Sequence, residues 1–357
     1  MAGYISADSH VTEPFELYAE RVDAPFRDRV PRIVIRDGWR TLHAEGIAPR
    51  KLMTASELDL AVVGGPDLEQ RRREQESDGV AGEVVFPNWA LTTAFVGDPA
   101  LQIQLSRAYN DWAQETLSRE HRTLPVAMIP MLDVRAAVAE AQRVAALGMR
   151  ALSLPSRVEG VDYNSPVFDP FWASASELGL PLTFHSGTGY DPRLSHGPGA
   201  HVLNYVLAAQ FDGPRVLLAL AAGGVLDRFP ELRVVVVETG ASWLAWVMTQ
   251  ADEIYADHAM YAKSALSARP SDFIRRQCHA TFMVDPVAVR NRDVTGVECL
   301  LWGNDYPHPE GTWPHSAQSA TAQFAGVPDE EMAAIMGGNA ARVFGFDPAL
   351  LAAGPRA

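Results

Sequence analysis

Short, near-continuous apolar runs recur along the chain, and stretches with apolar residues at helical spacing lie between them. The runs cover residues 4–7, 82–87 (GEVVFP), 124–130 (LPVAMIP), 150–155 (RALSLP), 180–185 (LPLTFH), 232–238 (LRVVVVE), 280–284 (ATFMV) and 298–302 (ECLLW). A strand with one wet face alternates apolar and polar residues. Unbroken runs fit parallel strands that helices cover. The helices predicted between them span 101–119, 134–147, 170–178, 242–263 and 328–336. Asp133 stands at the N-cap of 134–147 with Gly148 beyond its end, and Asp169 and Gly179 bracket 170–178 in the same way. Such residues satisfy the free N–H groups of a first turn and let the chain leave a helix through left-handed backbone.

Strands alternating with helices in this number predict an α/β fold, a closed (β/α)8 TIM barrel. An open doubly wound sheet is the alternative. No GxGxxG or GxxxxGK[ST] follows the first run, which removes that sheet's usual nucleotide chemistry. Residues 11–80 break the alternation and read as an insertion after strand one, within a single domain spanning 1–357. The Gly/Pro-rich stretches 186–200 and 303–316 follow strands five and eight. Long loops at the C-terminal ends of barrel strands are where such folds build their sites.

Composition narrows the function. Hydrophobic residues are 47% of the chain and charged residues 21%, enough apolar material for a large core. The net charge of −14 argues against a nucleic-acid partner, which needs an excess of Lys and Arg. The one basic run, Arg71-Arg72-Arg73, lies between Glu69 and Glu74 and reads as a salt-bridged helix face. The cysteines, Cys278 and Cys299, form no CxxC pair and sit in apolar stretches, so buried thiols in a reducing compartment are expected. Residues 1–20 lack a basic start with an apolar run, and no apolar window is long enough to span a membrane. A cytoplasmic protein with no membrane partner is the expectation.

The candidate chemistry lies at strand ends. Asp8 and His10 follow strand one, His185 ends strand five, Glu238 ends strand six and Asp305 follows strand eight. In a closed barrel these ends ring one mouth, so residues far apart in the chain converge there. Asp8 and His10 are two apart on extended backbone and point the same way. Singly, each has a plain structural reading: a cap, a buried histidine, a turn in Gly303-Asn304-Asp305-Tyr306-Pro307-His308. Together they form a ligand set, Asp8, His10, His185 and Asp305, suited to one divalent ion. Zn²⁺ is first choice, with Mn²⁺ or another divalent ion as alternatives. Asp305 is the candidate general base, and Glu238 a second catalytic residue that positions water or adds a ligand. His201, His308, Phe86, Asn88 and Trp313 are candidate substrate contacts. Trp302 and Tyr306 are further aromatic candidates at the mouth.

ADSHVTEP, TFHSG, GGVLDRFPELRVVVVETGASWL, GNDYPHPEGTWP and GGNAARVFGFD resemble, in order and over nearly the whole chain, the amidohydrolase-related family, the amidohydrolase 2 group. That group includes decarboxylases of the aminocarboxymuconate-semialdehyde and resorcylate type. The resemblance implies a metal-bearing TIM barrel and a homodimer. It places Asp8 and His10 in the first-strand metal motif, His185 as the fifth-strand ligand and Asp305 as the eighth-strand acid. Relatives vary at the Asp8 position. The family's decarboxylases carry a GHxGE-like motif after strand six. Here Val237-Glu238-Thr239-Gly240-Ala241 puts Glu238 at the His position and Ala241 at the Glu position. An ionised carboxylate cannot donate a hydrogen bond to a substrate carboxylate, and two anions repel in a dry pocket. The expected activity is therefore hydrolysis of a small cyclic or aromatic carbonyl compound (amide, ester, lactone or C–C bond) by metal-activated water. Non-oxidative decarboxylation of an aromatic or enol acid is the alternative. An inert binding barrel is a third reading, disfavoured by the complete ligand set.

Overall fold

The computed structural model describes residues 3–54, 64–65, 67–189 and 195–352. All eight predicted barrel strands are present. In order they are Tyr4–Val11, Val80–Pro87, Thr123–Pro125 continued as Ala127–Met128, Leu152–Leu154, Leu182–His185, Val234–Val237, Cys278–Phe282 and Leu300–Trp302. Their neighbours pair in parallel. The third strand breaks at Val126, its first half bonding to the second strand and its second half to the fourth.

The barrel closes through the segments that carry the candidate ligands. The backbone N–H of Asp305 donates to the carbonyl of Asp8 (2.9 Å), and that of His10 donates to the carbonyl of Tyr306 (2.6 Å). Ser9 and Tyr306 form a parallel bridge. Gly303 permits this approach: a Cβ there would lie 2.6 Å from the Cβ of Asp8. Strand one also changes face on the way. Ile5 packs with Val84 and Phe86 in the inner core, and His10 pairs opposite Phe86, an odd number of residues later. A register irregularity between Ser6 and Ser9 supplies the missing step.

Ile5, Ala7, Val84, Phe86, Leu124, Val126, Val235, Val237 and Leu301 fill the barrel with Phe344, Phe346 and Leu350. A larger layer lies between strands and helices, with Phe168, Phe171, Trp172 and Phe184 fully buried. Trp302 belongs to this layer, edge-on to Tyr4, and not to the mouth. Cys278 and Cys299 are buried thiols, as expected. No helix among the described residues is long and apolar enough to cross a membrane.

The helices match with shifts at their ends: Pro99–Thr116, Val134–Ala146, Asp169–Leu178, Trp243–Asp257 and Asp329–Ala333. Asp133 caps its helix, accepting from the N–H groups of Arg135 and Ala136. Asp169 is not a cap. The 3-10 turn Pro166–Phe168, capped by Ser165, runs straight into that helix, and Asp169 in its first turn pairs with Arg228 (2.8 Å). The predicted insertion 11–80 holds helices Glu16–Arg21 and Leu68–Ser77 and an antiparallel sheet of Arg32–Arg36, Trp39–His43 and Arg50–Thr54. Its residues 55–63 and 66, and 190–194 of the predicted strand-five loop, lie outside the described residues.

Candidate metal centre

Donor atoms from four strand ends meet inside the barrel mouth. His10 Nε2 and His185 Nε2 are 3.1 Å apart. Glu238 Oε2 lies 3.2 Å from His185 Nε2 and 3.5 Å from His10 Nε2. Asp305 Oδ1 is 3.4 Å from His10 Nε2, and Asp8 Oδ1 is 3.7 and 3.8 Å from the two ring nitrogens. Every one of these residues is buried.

Local chemistry aims each group. His185 Nδ1 lies 3.0 Å from the Ser186 carbonyl and donates to it, which turns Nε2 to the cluster. Burial opposes the charge of this imidazole, but Glu238 beside it outweighs burial and raises its pKa. Phe86 walls the other side, its ring centroid 5.0 Å from that of His185 and 6.1 Å from that of His10. Glu238 and Asp305 both adopt left-handed backbone, φ 58° and 52°. Ser186 Oγ and Tyr205 OH donate to Glu238 Oε1, at 3.1 and 3.3 Å.

The charge balance suits a cation. Three carboxylates face two imidazoles with little water. Burial, with Asp305 and Glu238 beside it, pushes the Asp8 carboxyl well above its ordinary range. Burial lifts Asp305 to about 6. Burial and the neighbouring His308 drop His10 to about 3, so it is neutral. Burial also opposes the charge on Glu238, but His185 and His10 opposite it outweigh that and hold it well below the usual carboxylate range. Both oxygens of Asp8, Oδ2 of Asp305 and Nδ1 of His10 are buried with no hydrogen-bond partner among the described residues. Unpaired buried carboxylate oxygens cost several kcal/mol unless a partner arrives (roughly 1–3 or more each). Paired imidazole nitrogens facing carboxylate oxygens at these spacings suit a divalent ion.

The other candidates divide. His308 reaches the site: its Nδ1 is 3.0 Å from Asp305 Oδ1, its Nε2 is 3.1 Å from Asn88 Oδ1, and its ring lies 4.2 Å from that of His10. Asn88 therefore joins the site through His308, with its amide also donating to Thr12. His201 does not arrive. It is exposed on Ala200–Asn204, its ring against Tyr205, because that short helix lies with its side chains in solvent. Trp313 stacks edge-on to Tyr306 and donates to the Glu74 carbonyl (3.4 Å), so it packs on helix Leu68–Ser77 beside the mouth. Tyr306 is wholly buried, its hydroxyl bonded to Glu74.

Residues unmarked by the sequence reading also support the site. Tyr205 is one. Arg71 is another: of the basic run, Arg72 and Arg73 pair with Glu76 and Glu69 as a helix face, but Arg71 turns inward. It grips Glu83 (2.5 and 2.9 Å), the His10 carbonyl (2.6 Å) and Ser9 Oγ (3.0 Å). Its signal was Glu83, an acid inside an apolar strand. Glu13 accepts from the N–H groups of Asn88, Trp89 and Ala90 (3.0, 2.8 and 2.6 Å) and from Tyr18 OH, fixing the loop that carries Asn88.

Comparison with known proteins gives the family and the fold. The amidohydrolase family model matches residues 78–346. A 2-amino-3-carboxymuconate-6-semialdehyde decarboxylase from Dictyostelium discoideum is 22% identical over 276 residues, 74% of this chain and 71% of that protein. A gamma-resorcylate decarboxylase from a Rhizobium species is 25% identical over 253 residues, 67% of this chain and 76% of that one. Among solved structures, an amidohydrolase from Mycobacterium avium subsp. paratuberculosis superimposes with a TM-score of 0.78 at 18% identity, covering 96% of this chain and 99% of its own.

Proposed function

The chain belongs to the amidohydrolase family, and from that premise we propose that it is a metal-dependent carboxy-lyase acting on a small aromatic or enol acid. Asp8, His10, His185 and Asp305 would hold the ion. A divalent cation there supplies the positive charge against which a substrate carboxylate and a neighbouring oxygen bind. The observation that carries the reading is Asp305. Its Oδ1 faces His10 and His308, while its buried Oδ2 has no hydrogen-bond partner among the described residues. With a carboxyl raised to about 6 by burial, that oxygen is placed to carry a proton near neutrality. As the bond to the departing carboxylate breaks, CO2 leaves, and its electron pair takes the proton from Asp305 to form a C–H bond. His308, partly exposed and steadied by Asn88, returns a proton to Asp305 from the mouth. Phe86 forms the apolar wall. The named activities of the curated relatives support the same direction.

Hydrolysis is the second reading, and Glu238 favours it. An anion at the strand-six position cannot donate to a substrate carboxylate, whereas Asp305 in its ionised form can take a proton from an attacking water. Purified protein incubated in ¹⁸O-water with a panel of aromatic acids, lactones and amides separates the two. The proposal expects CO2 release with no solvent oxygen in the organic product. Label in the product without CO2 would replace it with hydrolysis.

A further inference from the structure

Glu238 has no settled role in either reaction. Its Oε1 is occupied by Ser186 and Tyr205, and its Oε2 is turned to the Nε2 atoms of His10 and His185. A salt bridge to the histidines is the plain explanation, but the crowding of groups around their Nε2 atoms goes beyond one pair. His10 Nε2 stands 3.1 Å from His185 Nε2 and within 3.4 to 3.7 Å of Asp305, Glu238 and Asp8, more groups than one N–H can serve. The same nitrogens also face Asp8, whose two buried oxygens have no hydrogen-bond partner among the described residues. The separations carry the argument further. Adjacent donors about 2.0–2.2 Å from one ion lie roughly 2.8–3.6 Å apart around a four- to six-coordinate shell, and opposite donors roughly 4 Å or more. Glu238 Oε2 stands 3.2 and 3.5 Å from the histidine nitrogens, which fits that shell better than Asp8 Oδ1 at 3.8 and 3.7 Å.

We infer that Glu238 is itself a metal ligand, so that the ion sits among two imidazoles and three carboxylates rather than beside a strand-six hydrogen-bond donor. This rests on the metal reading above and not on which bond the enzyme breaks. The left-handed backbone of Glu238, φ 58°, turns its side chain off the strand direction toward the two histidines. Ser186 and Tyr205 act as the clamp that leaves Oε2 free for the ion. The third carboxylate makes the shell harder, shifting its relative preference toward oxygen-seeking ions such as Mn²⁺.

The test uses dialysed full-length protein and competition against a metallochromic chelator, with Mn²⁺ and Zn²⁺ titrated separately. Wild type, Glu238→Gln, Glu238→His and His10→Ala are compared, each checked for folding by circular dichroism. Glu238→Gln should weaken both ions by at least the roughly 10–100-fold that loss of an outer-sphere partner costs. Glu238→His should move the Mn²⁺-to-Zn²⁺ affinity ratio toward Zn²⁺, and His10→Ala should bind neither. Wild-type affinity in Glu238→Gln with none in His10→Ala overturns this inference and leaves the metal centre standing. Wild-type affinity in both variants removes the centre itself. If the Glu238 variants do not fold, a crystal structure of the Zn²⁺-loaded wild type decides. Oε2 should lie about 2.0–2.2 Å from the ion, and a distance beyond roughly 3 Å overturns the assignment.

Discussion

Glu238 and Asp305 hold their carboxylates at the end of left-handed residues, where a side chain leaves the strand direction. The pocket uses that turn to bring acids from strands six and eight over His10 and His185. Burial acts on each titratable group according to its charge, and His279 shows the effect outside the site. It is buried on strand seven with Nδ1 donating to the Glu298 carbonyl (2.8 Å). Burial, with Arg342 and Arg233 nearby, drops its imidazole to about 4. The unfolded chain therefore binds a proton below about 6.5 that the folded chain refuses. The stability tied to this residue is whole above that pH and falls by up to about 1.4 kcal/mol per unit down to about pH 4. His279→Gln should flatten the pH dependence of the denaturation midpoint between these limits relative to wild type. Parallel curves for the two proteins would count against a neutral His279.

At the scale of elements, Arg71 on helix Leu68–Ser77 ties the end of strand one to strand two. That guanidinium spans Glu83 and the carbonyl of His10, and it lies over the Tyr306 ring. Removing one member of a buried pair leaves the other charge stranded. Arg71→Met should therefore cost about 3–5 kcal/mol in urea denaturation, much of it recovered by adding Glu83→Gln. Equal losses in the single and double variants would place the effect elsewhere. The same helix shows what could be read without coordinates. The strands were legible because buried parallel strands need unbroken apolar runs, and caps such as Asp133 because a first turn needs acceptors. Arg71 was not, since a charged helix face and one inward-turning member share one composition. Asp169 failed as a cap because the 3-10 turn before it depends on how the chain enters the helix. His201 failed because its distance from the pocket is set by a loop path and not by spacing.

Across the whole molecule, the ligand set depends on closure. Strands one and eight meet through Asp8, His10, Asp305 and Tyr306, so the bonds that complete the barrel also set the spacing of the donors. That Asp8, His10, His185 and Asp305 would converge was legible because each falls at a strand end of one predicted barrel. The favoured reaction was not, since hydrolysis and decarboxylation draw on the same residues and the relatives supplied the direction. The central claim is that side chains from opposite sides of the barrel bind one divalent ion that turnover requires. Its most direct test is the metal content and turnover of wild type, His185→Ala and Asp305→Asn after identical gentle purification. Wild type should carry about one equivalent of a divalent metal and His185→Ala almost none, because buried ligand sets bind by cooperation. Asp305→Asn should lose about 10²- to 10⁴-fold in turnover. Full metal occupancy and undiminished turnover in both variants would contradict it.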